Sequence, residues 1–244
     1  MTNSIEVINL SKSYGLKEAV KKINFKVSEN EIIGLLGPNG CGKTTTIAMI
    51  LGLLKPSNGQ VLINGMDIES HRIPLLHKMN FISPYIELPK KLSVKQNLIV
   101  YGKLYSIKNL DYKIEQLANE LRLKDLLGEI TGELSSGQKN RVSLAKALIN
   151  DPKVLLLDEP TASLDPETGD FIRTFLETYK KEKKISILLA SHNMNEVKRL
   201  CSSVLMMKDG VIIDQGKPDE LIKKHGRQNL EEVFLKLTRT KDEH

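Results

Sequence analysis

The apolar residues of this chain change period several times, and each change predicts an element. Near the N-terminus they alternate with polar residues, as in Ile5-Glu6-Val7-Ile8-Asn9-Leu10 and Ile23-Asn24-Phe25-Lys26-Val27. Period two marks half-exposed strands, and both runs read as antiparallel strands. Ile32-Ile33-Gly34-Leu35-Leu36 is almost unbroken in its apolar character, the pattern of a buried strand. From Thr44 to Leu54 the period is helical, with Ile47, Ile50, Leu51 and Leu54 on one face. Gly59 to Ile63, followed by Asn64-Gly65, predicts a strand and a tight turn. Phe81-Ile82 is a short strand stopped by Pro84. Between about Pro84 and Ser136 the helical period returns: Val94, Leu98 and Tyr101 share a face, as do Ile114, Leu117, Ala118 and Leu121. Helices and strands then alternate, with helices over 137–148, 167–180 and 193–200 and strands over 154–157, 185–190, 204–207 and 211–214. Leu230, Val233, Phe234 and Leu237 form one face of a last short helix capped by Asn229. Such alternation implies an α/β fold with parallel strands in its core.

Composition narrows the class. The chain has 244 residues, 40% hydrophobic and 27% charged, which suits one large soluble domain or a domain with a subdomain. The net charge of +6 is mild, and the lysines are dispersed; their one cluster, Lys180, Lys181, Lys183 and Lys184, lies between a helix and a strand and reads as a solvated turn. No nucleic-acid partner is expected on this basis. Two cysteines, Cys41 and Cys201, exclude a disulfide framework and suit a reducing compartment. No apolar run approaches the ~20 residues that span a bilayer, and the N-terminus has no signal pattern. A cytoplasmic chain is expected, with any membrane part supplied by another polypeptide.

The chemistry begins between the first buried strand and its helix. Gly37-Pro38-Asn39-Gly40-Cys41-Gly42-Lys43-Thr44 is a phosphate-binding loop, in the strand–loop–helix context this motif requires. Its glycines let backbone N–H groups turn inward around phosphate oxygens, and the helix N-terminus adds partial positive charge. Lys43 would reach the β- and γ-phosphates, and the Thr44 hydroxyl would ligate magnesium. Cys41, beside Lys43 and a helix N-terminus, is expected to be a tolerated small residue; its setting also predicts a lowered thiol pKa. The second motif is Val154-Leu155-Leu156-Leu157-Asp158-Glu159, an apolar strand ending in two carboxylates. Ligands of open α/β sheets sit at such strand ends. Asp158 would hold magnesium through water, and Glu159 would act as general base toward the attacking water. The third is Leu134-Ser135-Ser136-Gly137-Gln138, which by itself reads as a helix cap whose free amides make an anion site.

In this order and spacing the three motifs resemble those of the ABC family of ATPases, whose signature is Leu-Ser-Gly-Gly-Gln, and the resemblance covers nearly the whole chain. It implies a P-loop NTPase (RecA-like) core at about 1–84 and 138–217, with an N-terminal antiparallel β-subdomain. It further implies an inserted α-helical signature subdomain at about 85–137 and a C-terminal helical extension at about 218–244. It implies ATP and Mg2+ as ligands and two copies sandwiching two ATP molecules. Gly37, Pro38, Asn39, Gly40, Cys41, Gly42, Lys43, Thr44 and Thr45 would form one side of each site. Ser135, Ser136, Gly137, Gln138 and Asp165 would reach it from the opposite copy. Tyr14 matches the aromatic that stacks on adenine, His192 the switch histidine that contacts the γ-phosphate, and Arg141 the arginine after the signature, expected in an ion pair. The partners implied are an integral membrane transporter subunit and a second nucleotide-binding copy, identical or paralogous. Asn229-Leu230-Glu231-Glu232-Val233-Phe234 resembles the tail of exporter subunits. A non-transport ABC ATPase acting on nucleic acid or ribosomes is the alternative.

Two positions depart from the family pattern. Ser136 stands where the signature has glycine. Tyr85 follows Pro84 where the family carries a glutamine near magnesium, and Gln96 lies too far along the next helix to replace it.

Overall fold

The computed structural model describes residues 2–84 and 86–239. The two alternating runs are β1 (Asn3–Tyr14) and β2 (Lys17–Ser28), an antiparallel pair. β3 (Ile32–Leu36) is buried at every residue and feeds the phosphate loop, which opens α1 (Lys43–Ile50). β4 (Asn58–Ile63) and β5 (Met66–Asp67) extend the first pair into an antiparallel sheet of order β2-β1-β4-β5. α2 (Arg72–Leu76) precedes β6 (Met79–Ile82). Pro74 and shortness hide α2 from periodicity, because proline at the second or third residue of a one-turn helix breaks no internal hydrogen bond.

The helical stretch follows as α3 (Val94–Leu104) and α4 (Leu110–Glu120), then 3-10 turns at 124–126 and 131–133. After it come α5 (Ser136–Leu148), β7 (Val154–Asp158), α6 (Pro166–Lys183), β8 (Ser186–Ser191) and α7 (Met194–Leu200). The chain ends with β9 (Ser203–Lys208), β10 (Val211–Gly216), α8 (Pro218–His225) and α9 (Leu230–Arg239). Asn229 caps α9 as expected, its Oδ1 accepting the Glu232 N–H at 2.9 Å.

The main sheet has the order β10-β9-β3-β8-β7-β6, parallel from β9 to β6 with β10 antiparallel at the edge. Strand periodicity divides its side chains between two cores. Ile33, Leu35, Leu156, Leu188 and Leu205 face α1 and the antiparallel sheet. Ile32, Leu36, Leu155, Leu157, Ile187 and Leu189 face the helices on the other side. Gly34 lets α7 approach β3: a Cβ there would stand 2.9 Å from Val197 Cγ1 and 3.0 Å from Cys201 Sγ.

α5 is tied to β6 by a buried cation. Lys146, 9% exposed, donates to the Phe81 carbonyl at 3.1 Å, and its ammonium lies 5.0 Å from the Phe81 ring centroid and 5.5 Å from that of Tyr101. Burial pushes its pKa down to about 8. The folded protein therefore sheds this proton well before the unfolded chain does. Between that value and the ordinary lysine range the unfolded state binds more protons, so stability rises with pH there. Relative to Lys146→Met, the parent protein is expected to gain about 2 kcal/mol between pH 7 and pH 10. Urea unfolding of both proteins at the two pH values measures it, and a constant difference would contradict it.

Candidate active site

The parallel strands β3, β7 and β8 end side by side, and each delivers part of one cleft. From β3 comes the phosphate loop. Gly37 and Gly42 are required by contact: a Cβ at Gly37 would lie 2.4 Å from the Met207 carbonyl oxygen, and one at Gly42, where φ is 111°, 2.6 Å from that of Ala19. Lys43 is only 6% exposed, and its Nζ donates to the carbonyls of Gly37 at 2.7 Å and Pro38 at 3.2 Å. The ammonium thus stands inside the loop between β3 and α1. An open cleft of about 370 Å³ lies over Asn39, Gly40, Gly42, Lys43, Thr44 and Thr45 and reaches Tyr14, Asp158 and Glu159. Gly37 and Cys41 are buried beneath the loop, while Pro38 is exposed.

From β7 come the two carboxylates. Asp158 is buried at the strand end, and its Oδ2 accepts from the Thr44 hydroxyl at 2.8 Å. Burial raises its pKa, the Thr44 hydrogen bond opposes this, and Glu159 adds to the rise. A hydroxyl and a buried carboxylate are the hard oxygen ligands that magnesium selects, and a divalent cation would offset the cost of the buried charge; the residues fit that ion. Glu159 has φ 51°, an uncommon backbone for a side chain, held by its N–H donating to the Ala190 carbonyl at 2.8 Å. The turn swings its carboxylate away from the strand line. Oε2 meets His192 Nδ1 at 2.8 Å, and Oε1 lies 3.8 Å from Lys43 Nζ. That Oε1 is buried and accepts no hydrogen bond among the described residues, so its hydrogen-bonding capacity is unused there. His192 follows β8 and is 59% exposed at its side chain.

The signature segment does not line this cleft; its Ser136 lines a neighbouring cavity that shares Glu159 with it. Ser135 caps α5: its Oγ accepts the Gln138 N–H at 3.2 Å and its own N–H donates to Gln138 Oε1 at 2.8 Å. Ser136 is exposed and Gly137 is buried, with Thr168 3.1 Å from where its Cβ would be. Asp165 is exposed and caps α6 through the Thr168 N–H at 2.9 Å. The nucleotide cleft is not lined by any of these residues. Tyr14 reaches it from the end of β1 and is 52% exposed, with Lys12 Nζ 5.3 Å from its ring centroid.

Two expectations are corrected. Burial drives the Cys41 thiol pKa up, and this outweighs the nearby Lys43 charge, so the thiolate is not favoured. Arg141 makes no ion pair among the described residues; it donates to the carbonyls of Leu121 at 3.2 Å and Arg122 at 2.8 Å, closing the end of α4. Tyr85 lies outside the described residues. Gln96 is occupied in a capping box, its Oε1 accepting the Ser93 N–H at 2.8 Å.

The sequence profile described as ABC transporter matches residues 20–162. The chain belongs to the ABC transporter family. Among curated ABC relatives, the ABC transporter ATP-binding protein NatA of Bacillus subtilis is 34% identical over 89% of this chain and 89% of its own length. The Nod factor export ATP-binding protein I of Bradyrhizobium diazoefficiens is 34% identical over 95% of this chain and 76% of its own. A dimeric bacterial ABC transporter cassette superposes with a TM-score of 0.81 at 25% identity, covering 87% of this chain and 98% of that one. This chain is an ABC ATPase subunit of the transporter type. Among its described residues no helix is long and apolar enough to cross a membrane.

Proposed function

We propose that this ABC ATPase binds Mg2+–ATP in the cleft between Tyr14 and Glu159, closes as a head-to-tail dimer over two nucleotides, and thereby powers export through a separate membrane subunit. One observation carries the reading: Lys43, the Thr44–Asp158 pair and Glu159 line a single cleft, and His192 holds Glu159 from outside that lining. Gly37, Pro38, Asn39, Gly40, Cys41, Gly42 and Thr45 shape the phosphate loop, with Tyr14 as the platform for adenine. Thr44 and Asp158 would hold Mg2+, which supplies charge neutralisation at the β- and γ-phosphates when bound. Glu159 takes the proton of the attacking water on Oε1, the oxygen that has no hydrogen-bond donor among the described residues. His192 holds that carboxylate from the other oxygen and orients it toward the γ-phosphate.

Support for the dimer comes from the lining of the cleft, which contains Lys43, Thr44, Asp158 and Glu159 but none of the signature residues. The α5 N-terminus, with Ser135, Ser136, Gly137 and Gln138, and the exposed Asp165 would meet the γ-phosphate bound by a second copy. A two-fold arrangement satisfies both sites with one interface. The dimeric form of the cassette described above supports this reading. The core at about 1–84 and 138–217 would carry the nucleotide and the helices at about 85–137 the signature. Residues 218–244 would form an accessory extension. Export is the direction named for the Bradyrhizobium relative. The protein would then sit on the cytoplasmic face of a membrane, held by its partner.

The deciding experiment captures this chain, as Glu159→Gln with ATP, from detergent-solubilised membranes of its own cell. A stoichiometric multi-span membrane protein is the expected companion. Nucleic acid or ribosomes in its place would overturn the transport reading.

A further inference from the structure

Glu196 is a carboxylate with 1% exposure, one helical turn beyond His192, and it takes no part in the chemistry described above. Its two oxygens are occupied by hydroxyls from two different segments, the loop after β7 and the last residue of β8. Thr161, two residues beyond Glu159, donates from Oγ1 to Oε1 at 2.7 Å. Ser191, directly before His192, donates from Oγ to Oε2 at 2.8 Å. The Ser191 oxygen in turn accepts the Asn193 N–H at 3.0 Å, on the far side of the histidine. Among the described residues no cation pairs with Glu196 within hydrogen-bonding distance; burial raises its pKa and the two hydroxyl donors oppose the rise.

We propose that Glu196 is a positioning residue that clamps the loop after Glu159 to the loop carrying His192 and so fixes the geometry of the Glu159–His192 pair. The inference rests on the reading of that pair as catalytic. The clamp depends on polarity as well as shape. A carboxylate accepts at both oxygens, so both hydroxyls point inward and the Ser191 lone pairs are left for Asn193. A glutamine of the same shape must present its NH2 to one of the two hydroxyls, which reverses or breaks one arm. The two loops then move relative to each other by a fraction of an ångström, a displacement to which a proton transfer is sensitive and ground-state ATP binding is not.

Glu196→Gln is expected to lower kcat for ATP about 10- to 100-fold, with ATP affinity within about threefold of the parent and an unchanged melting midpoint. An unchanged kcat overturns the proposal, as does a fall in kcat matched by an equal loss of ATP affinity. If Glu196→Gln does not fold, Thr161→Val decides: it removes one donor and keeps the shape, and its kcat is expected to fall about tenfold with affinity retained. Parent-level kcat for Thr161→Val is then the refuting result. Glu159→Gln in the same assay separates the two levels of the argument. If it is inactive while Glu196→Gln and Thr161→Val match the parent, the clamp alone is wrong; if it turns over ATP normally, the site reading itself falls.

Discussion

Replacing Glu159 with glutamine is expected to lower ATP turnover by about 10²- to 10⁴-fold while nucleotide binding survives. The substitution keeps size and removes one charge from a crowded set. Glu159 Oε1 has no hydrogen-bond partner among the described residues, and Lys43 Nζ lies 3.8 Å away. Its acceptor capacity is unused, and a carboxamide cannot take a proton there. Binding is spared because Lys43 and the loop amides carry the phosphates. The neighbouring Asp158 becomes easier to ionise, since Glu159 is among the groups raising its pKa. With hydrolysis blocked and ATP retained, the dimer is expected to persist in ATP and to dissociate in ADP. Steady-state turnover and size-exclusion chromatography in each nucleotide test both halves. Turnover at the parent rate would remove Glu159 from the role of base.

Lys43→Ala has the second largest expected effect, on affinity. In the protein as it stands, Nζ bridges the Gly37 and Pro38 carbonyls and is almost wholly buried. Its charge is thus already desolvated and held within reach of incoming phosphate, so little reorganisation opposes binding. Removing it deletes charge-assisted hydrogen bonds worth about 3 kcal/mol in sum, or roughly a 100-fold rise in the ATP Kd. It also leaves the two carbonyls of the loop without their donor. Equilibrium binding of a fluorescent ATP analogue measures the change, and unaltered affinity would contradict the assignment. Lys43→Arg is not expected to rescue binding, because a planar guanidinium cannot occupy the same small space between two carbonyls.

How far each feature was legible depended on the range of the interaction behind it. The phosphate loop, the acid-terminated strand and the Ser135 cap are local: a few neighbouring residues set their backbone, and all three adopt the expected form. The strands β3, β7 and β8 were readable because burial on both faces leaves an unbroken apolar run. α2 was not, since five residues with a proline carry no period. Cys41 and Arg141 depart from expectation through contacts made in space: burial beneath the phosphate loop outweighs the nearby Lys43 charge at the thiol, and the carbonyls at the end of α4 take the guanidinium for which the family resemblance implies an ion pair.

Sequence by itself determined the order of the elements and the placement of the glycines, caps and strand-end carboxylates, because period, glycine placement and capping act over one or two turns of chain. Tertiary structure alone decided which side chains share a cleft and how burial moves the proton affinity of Cys41, Lys146 and Asp158. Lys43, Asp158, Glu159 and His192 come from three strand ends and meet only when the sheet is formed. Glu196 and Lys146 look like ordinary surface charges until helices bury them against β8 and β6. Proton affinity and hydrogen-bond polarity follow from distance and dielectric in space, and neither is written in the spacing of residues along the chain.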